Sequence, residues 1–175
     1  MKDLIGEWKD EGSEIERLAK LLDEMKAEHY KDTVDTVAKG VSDEVTSEID
    51  CLDCGNCCRT SVTDFTKGEI KRAAKHLSMT PKGFIKDYLM QDVDGTYITL
   101  SAPCPMLNTD NTCKIYEVRP AVCESYPHTQ RTNFKNRVHA HQANLSMCPI
   151  TYHTVKRLES ELRKLSENPE TEYND

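Results

Sequence analysis

Four cysteines stand within eight residues, in Cys51-Leu52-Asp53-Cys54-Gly55-Asn56-Cys57-Cys58. Two successive C-x-x-C steps with a fourth thiol adjoining let a backbone curl round a metal, its amides facing the sulfurs, and Gly55 permits the tight turn. The first three thiols carry the spacing that opens a ferredoxin-type ligand run. Cys58 departs from that run, which inserts three residues before a final Cys-Pro. Cys104, Cys113, Cys123 and Cys148 complete a set of eight. Cys104 and Cys148 each precede a proline, which holds the chain out of helix there and removes a competing amide. Taken singly, each of these four would pass for a small buried hydrophobe. A cluster this dense, where thiols stay reduced, points to metal ligation.

A metal matters to this chain because its apolar inventory is thin. Hydrophobic residues make up 37%, against roughly 45–50% in an average globular chain. Leu, Ile, Val and Phe together supply about 19%, at the edge of what lets a charged chain bury a core. The length of 175 residues suits one domain. The expectation is therefore a helix-rich α+β fold with little sheet, its irregular core stapled by a cysteine-ligated metal centre.

Charge divides the chain. Residues 1–50 carry net −8, residues 51–150 net +3, and the last 25 net −2, for −7 overall. An acidic balance argues against a general nucleic-acid binder. No apolar stretch is long enough for a membrane span, and the N-terminus lacks the apolar run of a secretory signal. The expected location is cytoplasmic, with no membrane and no nucleic acid as partner. Three sections follow: an acidic N-terminal helical arm over 1–50, a cysteine-cluster metal-binding domain with a C-terminal helix over 51–166, and a flexible tail over 167–175.

The arm reads as two helices. Ile15, Leu18, Leu22 and Met25 recur at helical spacing after Gly12, with Ser13 and Glu16 as a capping box, and Trp8 anchors the arm. Val34, Val37, Val41, Val45 and Ile49 form a second, narrow stripe. Such an arm packs on the metal domain or docks a partner. In the middle section, Thr66-Lys67-Gly68-Glu69 is a capping box opening a helix to about His76. Thr80-Pro81 starts another, with Phe84, Ile85, Tyr88 and Leu89 on its buried face. Asp94-Gly95 is a turn leading into a strand over Tyr97–Leu100. The last helix begins near Pro149 and carries Tyr152, Val155, Leu158, Leu162 and Leu165 on one face.

Other side chains bear on the chemistry. Tyr116 and Arg119 lie between two expected ligands, as partners that orient them or bind an anion; the bland reading is a Glu117–Arg119 surface pair. His139 and His141 would share one side if extended, and either, or His128, would serve as a nitrogen ligand; more often such histidines are packed or solvated. Nucleotide loops, P-loops, G-x-S-x-G, H-E-x-x-H and the C-x3-C-x2-C spacing of radical enzymes are all missing, so no autonomous catalytic apparatus is visible.

The composite Cys51-x-x-Cys54-x-x-Cys57-Cys58, Cys104-Pro105-Met106-Leu107 and Cys113-Lys114-Ile115-Tyr116-Glu117-Val118-Arg119-Pro120-Ala121-Val122-Cys123 resembles the YkgJ-type cysteine-cluster proteins. That family is named for its CxxCxxCC motif and described as zinc- or iron-chelating. The resemblance covers roughly residues 51–150 and extends to the cysteine-cluster part of flagellin lysine N-methylases, understood to use an iron–sulfur cluster. It implies Cys51, Cys54, Cys57, Cys58, Cys104, Cys113, Cys123 and Cys148 as ligands. Adjacent Cys57 and Cys58 should diverge by about 100° on a helix, awkward for one tetrahedral ion. With the resemblance added, a [4Fe-4S] iron–sulfur cluster is favoured over zinc. The functions in view are electron transfer or support of a group-transfer reaction with a protein partner, a zinc-stabilised interaction module, and, by analogy alone, methyl transfer.

Overall fold

The computed structural model describes residues 3–9, 11–25 and 33–167. In chain order the helices are α1 (Leu4–Lys9), α2 (Gly12–Met25), α3 (Thr33–Glu48), α4 (Cys51–Cys54), α5 (Asn56–Thr60), α6 (Lys67–His76), α7 (Pro81–Tyr88), α8 (Ala121–Glu124), α9 (Val138–Leu145) and α10 (Pro149–Glu167). The strands are β1 (Asp64–Phe65), β2 (Leu89–Gln91) and β3 (Tyr97–Thr99). The fold is helix-rich α+β with a single small sheet among the described residues. Residues beyond 167 in the expected tail, and the Leu165 side chain, lie outside the described residues.

The chain divides into two compact units, Met1–Asp50 with Pro127–Asp175, and Cys51–Tyr126. Residues 127–166, which group with the cysteine section at the level of sequence, thus belong to the unit of the first fifty residues.

The first unit is helical. α3 packs along α10, burying Val34, Ala38, Val41, Val45 and Ile49 against a face that includes Val155, Leu158 and Leu162. Val37 falls off that stripe and is half-buried, because a 3.6-residue period carries the seam through Ala38. α2 starts with the Ile15 amide bonded to the Glu11 carbonyl oxygen at 3.0 Å. Ser13 therefore lies inside the first turn, and the expected capping box is corrected. Trp8 is buried, its indole N–H donating to the Leu145 carbonyl oxygen at 2.8 Å. The His139–His141 stretch is helical, not extended, so the two rings point apart: His141 is fully buried and stacks on Phe134 at 4.0 Å, while His139 is exposed. Burial pushes the His141 imidazole down to about 4, the Arg137 and His128 charges add to the shift, and neither ring nitrogen has a hydrogen-bond partner.

The second unit carries the sheet, antiparallel in order β1-β3-β2, with Phe65 opposite Tyr97 and Leu89 opposite Thr99. Gly95, at φ 83, turns β2 into β3. Leu89 opens β2 instead of closing α7, so it reaches the core from the sheet. That core gathers Phe65, Ile70, Ala73, Ala74, Phe84, Leu89, Met106 and Ile115, with Cys104 and Cys113 packed against its edge. Both expected helix starts are present: Thr66 and Glu69 form the reciprocal capping box of α6, and the Thr80 hydroxyl accepts from the Gly83 amide ahead of α7.

Candidate metal centre

Cys51 and Cys54 stand one turn apart on α4, and Cys57 and Cys58 lie on α5. Gly55 joins the two turns at φ 58, a left-handed conformation that favours glycine. The Gly55 amide bonds to the Cys51 carbonyl oxygen at 2.8 Å, and the Arg59 amide to the Gly55 carbonyl oxygen at 3.2 Å, so the motif winds up on itself. Helical spacing on α5 sets Cys57 and Cys58 about 100° apart, and the Cys57 thiol still lies near enough to act on that of Cys58.

The next pair sits on a tight loop. The Cys104 amide donates to the Cys58 carbonyl oxygen at 2.7 Å, tying the loop to the motif. Leu107 then bridges to Cys113, and the Lys114 amide bonds to the Met106 carbonyl oxygen at 2.9 Å, bringing Cys104 and Cys113 to one end of a hairpin. The Leu107 amide bonds to the Cys104 carbonyl oxygen at 3.0 Å, and the Met106 and Ile115 amides lie near the Cys104 and Cys113 sulfurs. Amides so placed favour the thiolate, the form that binds metal. Cys123 rides on α8, its Sγ donating to Thr63 Oγ1 at 3.6 Å.

Cys58, Cys104, Cys113 and Cys123 stand close enough that their charges act on one another. The neighbouring Cys57 thiol and then burial push Cys58 up. Burial, with the neighbouring thiolates, pushes Cys104 and Cys113 up and Cys123 to about 11. A bound cation would offset these effects and hold the sulfurs as thiolates. Among the described residues, no three His, Cys, Asp or Glu side chains already stand as a closed ligand set. The donors themselves fit a soft or borderline metal: sulfur only, half-buried, with backbone amides near two of them.

The remaining expected residues fall as follows. Cys51 is exposed at the start of α4. Cys148 belongs to the helical unit, buried just ahead of α10. Arg119 lies over the Tyr116 ring at 4.1 Å and donates to the Tyr116 carbonyl oxygen at 2.7 Å, and its charge lowers the Cys113 pKa against the stronger effect of burial. Three residues to which the sequence assigned no part in metal binding join the site. Thr63 meets Cys123, Glu69 accepts from the Ala121 amide at the start of α8, and Arg59 bonds to Cys54 and Asn111. Only Glu69 left a signal, as the capping residue of its own helix.

Half-buried cysteines gathered in one unit are a donor set that suits a metal-chelating domain. The chain belongs to the CxxCxxCC family, described as "Putative zinc- or iron-chelating domain", which it matches over residues 50–149. No curated protein and no solved structure matches it. Among the described residues, no helix is long and apolar enough to cross a membrane.

Proposed function

We propose that the chain carries an iron–sulfur cluster of the [4Fe-4S] type and serves electron transfer, or supports a group-transfer reaction, with a protein partner in the cytoplasm. The convergence of Cys58, Cys104, Cys113 and Cys123, with backbone amides near two of the sulfurs, carries the reading. Four cysteine thiolates are the complement such a cluster takes, and bonds to its sulfurs tune its potential. Cys51, Cys54 and Cys57 stand on the adjoining turns as further thiols, whereas Cys148 rests on sequence grounds alone. Tyr116 and Arg119 act through position and charge: the guanidinium, held over the ring, offsets thiolate charge at Cys113.

Zinc is the second reading, favoured by the all-sulfur donor set and by the small core, which a structural ion would help to hold. The chain would then be a zinc-stabilised interaction module. Absorption and metal analysis on protein purified without oxygen separate the two. Broad absorption near roughly 400 nm with about four iron per chain is the expected result. A colourless protein with zinc overturns the redox reading, and one holding neither metal overturns both. Cys113→Ser should lose the metal and leave Cys51–Tyr126 poorly folded, since metal binding supplies on the order of 10 kcal/mol in small domains. Cooperative melting of that unit without metal would refute the structural role.

A further inference from the structure

Arg59 reaches from the CxxCxxCC segment to the loop between Cys104 and Cys113. Its Nη1 donates to the Cys54 carbonyl oxygen at 2.6 Å, and its Nη2 donates to Asn111 Oδ1. Asn111 sits at φ 67 in a turn whose amide bonds to the Asn108 carbonyl oxygen at 3.1 Å, while the Asn108 amide bonds to that of Thr112 at 2.8 Å. The acceptor is therefore held in place before Arg59 arrives. Gly55 keeps the space open: a Cβ there would lie 3.0 Å from Arg59 Nη1 and 3.3 Å from the Asn111 carboxamide. Its absent side chain serves both the left-handed turn and this close approach.

The two segments are thus joined at two points. One is the backbone bond from Cys104 to the Cys58 carbonyl oxygen, and the other is the Arg59 fork. A single tie leaves a hinge, and a second removes it. The planar guanidinium suits the task, since it meets two acceptors in fixed directions where an ammonium would not. It also places a fixed positive charge on the residue next to Cys58. Arg59 is exposed, so its loss should cost the fold little.

We propose that Arg59 is a positioning residue of the metal centre, locking the Cys54–Cys58 segment to the Cys104–Cys113 loop through Asn111 and so setting how long bound metal is retained. This rests on the metal-binding reading above. Groups that orient ligands typically change metal affinity by about 10–100-fold when removed, and release should accelerate by a comparable factor.

The test loads the full chain with Co(II) and follows the thiolate charge-transfer absorption as excess chelator strips the ion. Arg59→Met and Asn111→Ala should each release Co(II) about 10–100-fold faster than the parent, with unchanged helix content. Arg59→Lys, which keeps the charge but not the fork, should fall between parent and Arg59→Met. Arg59→Met should also shift the charge-transfer band, which a purely structural role would leave in place. The double variant should release no faster than either single one, because both break the same latch. Release from Arg59→Met and Asn111→Ala within about twofold of the parent, the scatter of unrelated sites, overturns the proposal. Should Arg59→Met fail to fold, Asn111→Ala decides alone, since it leaves the arginine intact. A parent chain that takes up neither Co(II) nor, on anaerobic reconstitution with iron and sulfide, a cluster sinks the metal-binding reading itself, an outcome distinct from a failed latch.

Discussion

Replacing Glu69 by alanine should destabilise the cysteine unit far more than a lost surface carboxylate would. Glu69 is nearly buried, yet its carboxylate accepts three bonds. Oε2 takes the Thr66 amide at 2.8 Å and the Thr66 hydroxyl at 2.7 Å, and Oε1 takes the Ala121 amide at 2.8 Å. The first two close the capping box of α6, and helix caps are worth about 1 kcal/mol. The third holds the first turn of α8, which carries Cys123, and a charge-assisted bond contributes about 1.5–3 kcal/mol. Because Ala121 is exposed, water recovers part of that bond, so the expected total for Glu69→Ala is about 2–3 kcal/mol. Urea unfolding read by a probe within Cys51–Tyr126 measures it, and a Thr66→Ala/Glu69→Ala cycle should return a coupling of about 1 kcal/mol.

Acidity supplies a second check on the same residue. Burial pushes the Glu69 pKa up, but the Ala121 and Thr66 bonds, with the Arg72 charge, outweigh it and hold the pKa below its ordinary value. The charged form is therefore stabilised by folding, and its contribution is fully present above the unfolded pKa of about 4.3. It is lost as pH falls through the lower, folded value. The stability gap between parent and Glu69→Gln should be widest at neutral pH and shrink in acid. A cost under about 0.5 kcal/mol for Glu69→Ala, the size of an ordinary surface change, would refute the reasoning.

Phe84→Ala should cost about 3–5 kcal/mol in denaturant unfolding, because the ring is fully buried between Phe65 at 5.7 Å and Tyr88 at 5.3 Å. A loss below about 1 kcal/mol would mean that the small core repacks freely. His141 folds neutral, its pKa lowered to about 4, so the helical unit should lose stability as pH falls from about 6.5 towards 4, by about 3 kcal/mol in all. His141→Leu should flatten that part of the stability–pH curve, and an unchanged curve would rule His141 out as its source.

The features legible in the sequence were those whose cause is local. Helical stripes announced α2, α3 and α10, and the Thr66–Glu69 and Thr80-Pro81 signatures placed the starts of α6 and α7, because caps and periodicity act within a turn or two. Thiol density alone marked the metal chemistry. Local reading failed where no local signal existed or where tertiary contact overrode it. α9 has no apolar stripe to betray it, since the polar His141 and Asn144 share its buried face with Val138 and Leu145. Leu89 fits helical spacing yet pairs with Thr99 in the sheet, where the ladder offers it both bonds and burial. Which cysteines converge was decided by chain segments far apart in sequence. Arg59 finds Asn111, and Glu69 finds Ala121, each across 52 residues. Such pairs form only after the core has brought helix, sheet and loop together, so spacing could name the thiols while only packing could gather them.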